Sequence, residues 1–453
     1  MNEKEQEERV VYMTTAPVPK LVCSLAVPTI ISMLVTSFYN IADTFFVGKI
    51  NTSATAAVGV VFPVMSLIQA LGFFFGHGSA NYISRKLGSR EYDLASKMAA
   101  AGFVYAFSVG TLLAVGGLLF LEPLAYLLGS TPTILPYTKE YLWIILLGTP
   151  FMMSSLVLNN QLRFQGSASY AMVGIVTGAV INIVLDPLLI FVFDMGIAGA
   201  AVATTFSQFV SFMLLWVICR RGGNITIQIK NFRKDFYYIK EIFRGGLPSL
   251  FRQGLASISV TMMNHGAGIY GDAAIAAMSI VSRVAFFANS ALIGFGQGFQ
   301  PVCGINYGAQ KMKRVRESFY FCVKCSLAFL IVISVAAYIG AEPIIGIFRK
   351  GDSQVIEIGT LALRLQILTF CLGAWNVTCN MMLQSIGKAT SASIVAAARQ
   401  GLFFIPLIII LPRMFGLLGI QLCQPISDVF AFLLTVPMGL YALREMKEQE
   451  IKE

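Results

Sequence analysis

The chain has 453 residues, of which 56% are apolar and only 12% charged, and it carries a net charge of +10. A soluble globular chain holds roughly 25% charged residues, so too few are present here to wet the surface of so large a body. Soluble enzymes, disordered chains and nucleic-acid binders are excluded as classes, and the Lys/Arg excess belongs to the loops that orient a polytopic membrane protein.

In chain order, the first 20 residues are polar (Glu3, Lys4, Glu5, Glu7, Glu8 and Arg9), with no short apolar core or small-residue cleavage site. No signal peptide is expected to be removed. Apolar runs near the ~20 residues a span needs follow at 21–47, 54–80, 94–121, 136–161, 169–193 and 196–219. The stretch 220–244 (RRGGNITIQIKNFRKDFYYIKEIFR) then brings seven basic residues and no spanning run. Two readings fit it: a helix lying along anionic lipid, or a solvated loop that only sets orientation. Six more runs follow at 245–270, 273–300, 316–340, 357–383, 391–412 and 416–443. None shows the ten-residue alternation of a membrane β-barrel. The expected fold is an all-α polytopic membrane protein of 12 transmembrane helices. Its expected parts are 1–219 (N-lobe, spans 1–6), the linker 220–244 and 245–453 (C-lobe, spans 7–12).

An even number of spans puts both termini on one side. The opposite face then receives only Lys49, Lys139, Arg349, Lys350 and Arg413, while Arg252, Arg283, Arg364 and Arg399 sit inside spans. All other Lys and Arg fall on the side of the termini, which the positive-inside rule makes cytoplasmic. The expected location is the cell membrane, multi-pass, with both termini inside.

The halves repeat at an offset of 220. Pro28 meets Pro248, Gly48 meets Gly268, and Ala54, Ala56 and Ala57 meet Ala274, Ala276 and Ala277. Phe75, Gly76 and Gly78 fall on Phe295, Gly296 and Gly298, Gly88 on Gly308, Glu122-Pro123 on Glu342-Pro343, and Gly196 and Gly199 on Gly416 and Gly419. Each half starts on the same side, so the repeats are parallel, an architecture common among secondary transporters.

Three carboxylates fall inside spans: Asp43, Asp186 and Asp428. An ionisable group at a helix centre costs on the order of 3 kcal/mol in lipid, so each needs a partner or a task. Asp43 follows Tyr39 and Asn40 by one turn in span 1, and Asp186 follows Asn182 by one turn in span 5. At ~1.5 Å per residue, both lie in the outer half of the bilayer. Pro187 removes a backbone donor directly after Asp186. A freed carbonyl beside a carboxylate and an amide oxygen suits Na⁺, or a proton held by a desolvated carboxyl. The competing reading is a pair of satisfied interior or helix-end acids. The second-half counterpart of Asp43 is Met263 and that of Asp186 lies near Leu407, so the coupling acids belong to the first half. Asp428 corresponds to Gln208 and is expected to pair with Arg399.

The 35 Phe and 19 Met suit an adaptable cavity for bulky organic molecules, although a Phe can equally face lipid. Tyr141, Trp143 and Trp375 are the better cavity candidates, with interface anchoring as the rival account. His77 and His265 read as helix-packing residues, with a proton relay as the alternative. Cys322-x-x-Cys325 has no second pair or nearby His and reads as packing. No G-x-x-x-x-G-K-[ST] loop is present to cradle ATP, and GFGQG (294–298) reads as close helix packing.

The VPTIISMLVTSFYNIADTFFVG segment of span 1, INIVLDPLLIF of span 5 and GFGQGFQPVCGINYGAQ at 294–310, set in two parallel six-helix repeats, resemble the multidrug and toxic compound extrusion (MATE) family. The similarity covers about 20–443 and is strongest to the DinF-type branch and its close drug-efflux relatives. It implies V-shaped N- and C-lobes that export cationic, amphiphilic compounds in exchange for inward H⁺ or Na⁺. It further implies a cation-coupling set of Asp43, Asn182, Asp186 and Thr204, with Asp43 and Asp186 as metal ligands if Na⁺ is the ion. Tyr39 and Asn159 match cavity positions and join Tyr141 as expected substrate contacts. The NorM-type branch places acids on spans 7 and 10, where this chain has Arg252 and Arg364. No cofactor beyond the coupling ion, no nucleic acid, membrane lipid as surroundings and a monomeric state are expected.

Rival readings remain open. A major facilitator should carry a basic Asp/Arg/Lys motif between spans 2 and 3, where this chain has ISRKLGSREYD. Arg252, Arg283, Arg364 and Arg399 keep open a lipid-linked oligosaccharide flippase of the same superfamily. A membrane enzyme would need a nucleophile–base or metal constellation, and none is legible.

Overall fold

The computed structural model describes residues 3–220, 225–348 and 352–452. Arg221 of the basic stretch, and Arg349 and Lys350 of the far face, lie outside the described residues. The first half forms α1 (Glu3–Thr15), α2 (Val18–Val47), α3 (Thr52–Gly88), α4 (Tyr92–Leu119), α5 (Leu121–Leu127), α6 (Leu135–Phe164), α7 (Ala168–Pro187) and α8 (Gly196–Ile218). The second forms α9 (Phe236–Gly268), α10 (Asp272–Gly308), α11 (Met312–Ile339), α12 (Ala341–Phe348), α13 (Ser353–Phe370), α14 (Gly373–Ser385), α15 (Ala389–Ala397), α16 (Phe404–Phe415) and α17 (Leu417–Lys452).

Local chemistry sets several helix starts. Asn51 caps α3 by accepting from the Ala54 amide (2.7 Å), and Asp235 caps α9 by accepting from Tyr237 (2.9 Å). Pro187 ends regular α-helix, and the chain passes through a π-turn at Leu188–Val192 before α8. A second π-turn, Ala398–Leu402, joins α15 to α16 without a proline. Span 10 is a bent pair, α13 and α14, meeting at 53°.

Ten helices are long and apolar enough to cross a membrane, or eleven with the bent pair, among the described residues. The twelfth, α9, has 33 residues but carries Lys240, Glu241, Arg244 and Arg252, and it packs along α3 inside the bundle. Every expected span thus coincides with a helix, but the helices outrun the apolar runs. α3 continues past residue 80 to Gly88, α6 past 161 to Phe164, and α9 starts at Phe236, inside the stretch read as linker. The physical reason is that backbone hydrogen bonding does not stop at the first charged residue, whereas an apolar-run criterion does. One consequence corrects the charge census: Arg163, assigned to a loop, is helical and only 1% exposed.

Within the first half α6 packs against α3, α4 and α8, and α2 and α8 flank α7. Within the second, α10 packs on α11, α13 and α14, while α17 packs on α13, α14 and α16. The halves meet along α3–α9 and α2–α10. The repeat becomes visible where α3 and α10 cross: a Cβ on Gly88 would overlap the Ile305 carbonyl, and one on Gly308 would overlap the Arg85 carbonyl. The two contacts are reciprocal at the sequence offset, which is the signature of an internal two-fold axis. The GFGQG stretch does pack closely, since a Cβ on Gly294 or Gly298 would press into the backbone of α2 at Ile30 or Ala26.

Candidate functional site

The α-helical period brings Tyr39 and Asp43 to one face of α2, and Asn182 and Asp186 to one face of α7. α2 packs on α7, and α7 on α8 and α6, so four helices converge on these side chains. Asp186 is fully buried, Asn182 and Thr204 are 1% exposed, and Tyr141 is fully buried. Asp43 is half-buried overall, but its Oδ1 is buried with no hydrogen-bond donor facing it.

The two carboxyls lie within hydrogen-bonding reach of each other. In the amide orientation that satisfies both ends, Asn182 donates to Asp186 Oδ2 (3.2 Å) and accepts from the Thr204 backbone N–H (3.2 Å). Tyr39 stands beside both acids, and the Tyr141 hydroxyl reaches Thr204 while lying 3.8 Å from Met65 Sδ. No Lys, Arg or His neutralises either acid among the described residues. Two adjacent bare carboxylates repel strongly in a low-dielectric interior. A shared proton, or a small cation between them, removes that repulsion. The donors are all oxygens (carboxylate, amide, hydroxyl), the set that suits a hard cation such as Na⁺.

Six of the seven residues named from sequence are therefore brought together: Asp43, Asn182, Asp186, Thr204, Tyr39 and Tyr141. Asn159 is not among them. It lies 18 residues beyond Tyr141 on α6, about 27 Å along the helix axis, where its Nδ2 donates to the Ala171 carbonyl (2.9 Å) and ties α6 to α7. Asn380 makes the same bond to Ala392 (2.7 Å) in the second half. The pair reads as a repeated structural staple.

The second half offers a contrast. Met263 is 6% exposed in an apolar cluster with Ala267, Ile408, Leu411 and Ile420. At the place of Thr204 stands Gln424, which donates to Asp428 Oδ1 (2.8 Å), and Arg399 Nε donates to the same oxygen (2.6 Å). That interior neutralises its own acid, whereas the first half leaves two acids without a base. Sequence reasoning missed Arg163, His77, Ser249 and Gln297 as a group. The available signal was the polar run Asn159-Asn160-Gln161-Leu162-Arg163, which continues the helical period instead of breaking it.

Comparison with known proteins follows the same division. The family profile described as MatE matches residues 28–188 and 248–410, one stretch in each half. The multidrug export protein MepA of Staphylococcus aureus (strain MSSA476) is 27% identical over 442 residues, covering 97% of each chain. Among solved structures, MATE in complex with MaL6 superposes with a TM-score of 0.91 at 25% identity, over 97% of this chain and 99% of that one. A multidrug resistance MATE family transporter of the MOP superfamily, in its outward-facing conformation, gives 0.91 at 24% identity over 97% and 98%.

Proposed function

This multi-pass membrane chain belongs to the MatE family, and from that premise we propose that it is a secondary active multidrug efflux antiporter. It exports cationic amphiphilic compounds in exchange for inward H⁺ or Na⁺. The observation that carries this reading is the Asp43–Asp186 pair: a buried acid and a half-buried one within reach of each other, in the first half, with no base to neutralise them among the described residues. The reading agrees with the multidrug export named for the staphylococcal relative.

Asp43 and Asp186 take a proton, or Na⁺ with Asn182 and Thr204, and that loading withdraws the negative charge that holds a cationic substrate. Ion and drug binding are then negatively linked, and the linkage is reciprocal. Tyr39 and Tyr141 supply aromatic faces for the organic cation. The lobes 1–219 and 245–453, joined through 220–244, move about each other, with both termini cytoplasmic and the monomer as the working unit. α2 is suited to be the moving element. Pro28 lacks a donor, and Thr29, Ser32, Thr36 and Ser37 each donate to the carbonyl four residues back (2.5–2.9 Å), a pattern that weakens and bends helices.

The deciding experiment loads a fluorescent cation into inside-out vesicles with a pH gradient or a Na⁺ gradient imposed separately. Uptake driven by one gradient and collapsed with it is expected. Equal uptake with neither gradient sinks the antiport reading.

A further inference from the structure

A second polar cluster lies on the terminus side of the carboxylates, where the halves touch. Arg163 Nη1 on α6 donates to Gln297 Oε1 on α10 (2.5 Å). Its Nη2 donates to Asn160 Oδ1 (2.5 Å) and to His77 Nε2 on α3 (3.1 Å). An imidazole nitrogen that accepts from a guanidinium carries no proton, so the His77 proton sits on Nδ1 and is donated to Ser249 Oγ on α9 (3.0 Å). Ser249 also accepts from Gln384 (2.8 Å), which in turn donates to the Gly245 carbonyl (2.7 Å), and Arg252 is held by Asn380 (2.9 Å). Arg163 is 1% exposed and His77 fully buried, yet every acceptor of the Arg163 guanidinium is neutral, and its Nε is buried without one.

The division of these bonds between the halves is the informative feature. Within this cluster, only Arg163–Gln297 and His77–Ser249 cross from one half to the other. When they break, Arg163 keeps Asn160 and His77, and Ser249 keeps Gln384 (2.8 Å). Parting therefore leaves only Gln297 Oε1 and the His77 Nδ1–H to be taken over by water entering the opened seam, while the charged Arg163 and Arg252 keep partners in their own halves. A carboxylate at Gln297 would make the same contact a buried ion pair, which is far harder to part. An amide keeps it releasable.

We propose that the Arg163–Gln297 and His77–Ser249 bonds form the gate that closes the terminus side. Arg163 is its positioning residue, and the neutral acceptor at Gln297 sets the ratio of closed to open molecules. This rests on the alternating-access reading above, but its test needs neither drug nor ion gradient, so the two can fail separately.

Cys303 is a native reporter, because it is fully buried on α10 near Arg85 of α3, one residue before Gly304, where a Cβ would overlap the Ser84 side chain of α3. Its alkylation by a maleimide in the purified full chain, resolved site by site by mass spectrometry, tracks opening of the seam. Gln297→Ala removes one charge-assisted bond and is expected to raise the Cys303 rate about tenfold to a hundredfold. Gln297→Glu should lower it by a similar factor, and Ser249→Ala should raise it more modestly. Opposite shifts from two substitutions at one position are not what a merely structural residue produces. Rates unchanged, or shifted in the same direction, in Gln297→Ala and Gln297→Glu overturn the gate. If Gln297→Ala unfolds, the buried Cys379 and Cys423 become reactive as well. Gln297→Glu and Ser249→Ala then decide the matter, and unchanged Cys303 rates in those two overturn the proposal equally.

Discussion

Asp43 and Asp186 reach each other from different helices, and each is replaced by Asn without change of size. If their charge is what a gradient titrates, Asp43→Asn and Asp186→Asn should each reduce gradient-driven export to background while the protein still inserts and purifies as a folded chain. Export retained in both single variants removes the first-half coupling site. The matched control lies at the repeat position. Met263→Ala opens a cavity in an apolar cluster and should cost about 2–4 kcal/mol of stability, with gradient dependence per folded molecule intact. Asn159 and Asn380 carry a different expectation, since each spends its side chain on a neighbouring carbonyl. Asn159→Ala and Asn380→Ala should each lower stability by roughly 0.5–1.5 kcal/mol and leave ion dependence unchanged. Loss of ion coupling in Asn159→Ala alone would return that residue to the transport site.

Among the elements, α3 and α10 carry the closest approach between the halves, and glycine makes it possible. A methyl group on either Gly88 or Gly308 meets a backbone carbonyl of the other helix, which cannot swing aside as a side-chain end can. Gly88→Ala and Gly308→Ala should each destabilise the chain by about 1–3 kcal/mol, read as a drop in melting temperature in detergent. The double variant should fall short of the sum, because the first substitution already parts the crossing that the second would strain. Strict additivity would mean that the two glycines do not share one contact. α2 stands at the opposite extreme. All three helices carry an interior proline (Pro28, Pro63 and Pro301), but in α2 four hydroxyl groups around it also turn back on their own carbonyls, which weakens that helix further.

For the whole molecule, the testable quantity is orientation. Asp194 is exposed between α7 and α8, at the end away from the termini, and Glu448 is exposed near the end of α17. With native cysteine labelling subtracted, an impermeant maleimide should reach Asp194→Cys from outside intact cells, and Glu448→Cys only after permeabilisation. The reverse pattern would invert the molecule and with it the direction of transport. The hydrogen bonds between the halves favour a molecule closed on the terminus side. They run from Ser37–Ser290 (2.8 Å) through the Arg163 seam to Asn306, Lys311 and Arg314, which donate to the carbonyls of Met13, Thr14 and Ala16 (2.6–3.1 Å).

The sequence by itself determined the twelve membrane segments, the repeat and the anomaly of two acids confined to one half. Each is local: an apolar run fixes its own burial, and a carboxylate inside such a run stands out without any knowledge of its neighbours. It also placed Asn182 one turn before Asp186, because helical period alone sets that spacing. Thr204 and Asn159 came only through family resemblance, since a threonine or asparagine in an apolar span announces nothing about its neighbours. The tertiary structure alone decided that Asp43 meets Asp186, that Asn159 is spent on Ala171, and that Arg163 is interior. The Arg163–Gln297 bond joins residues 134 positions apart. Whether a polar residue near a helix end faces water or a partner depends on which helix crosses there, and that is fixed by the packing of the two halves rather than by the residue's own surroundings in the chain.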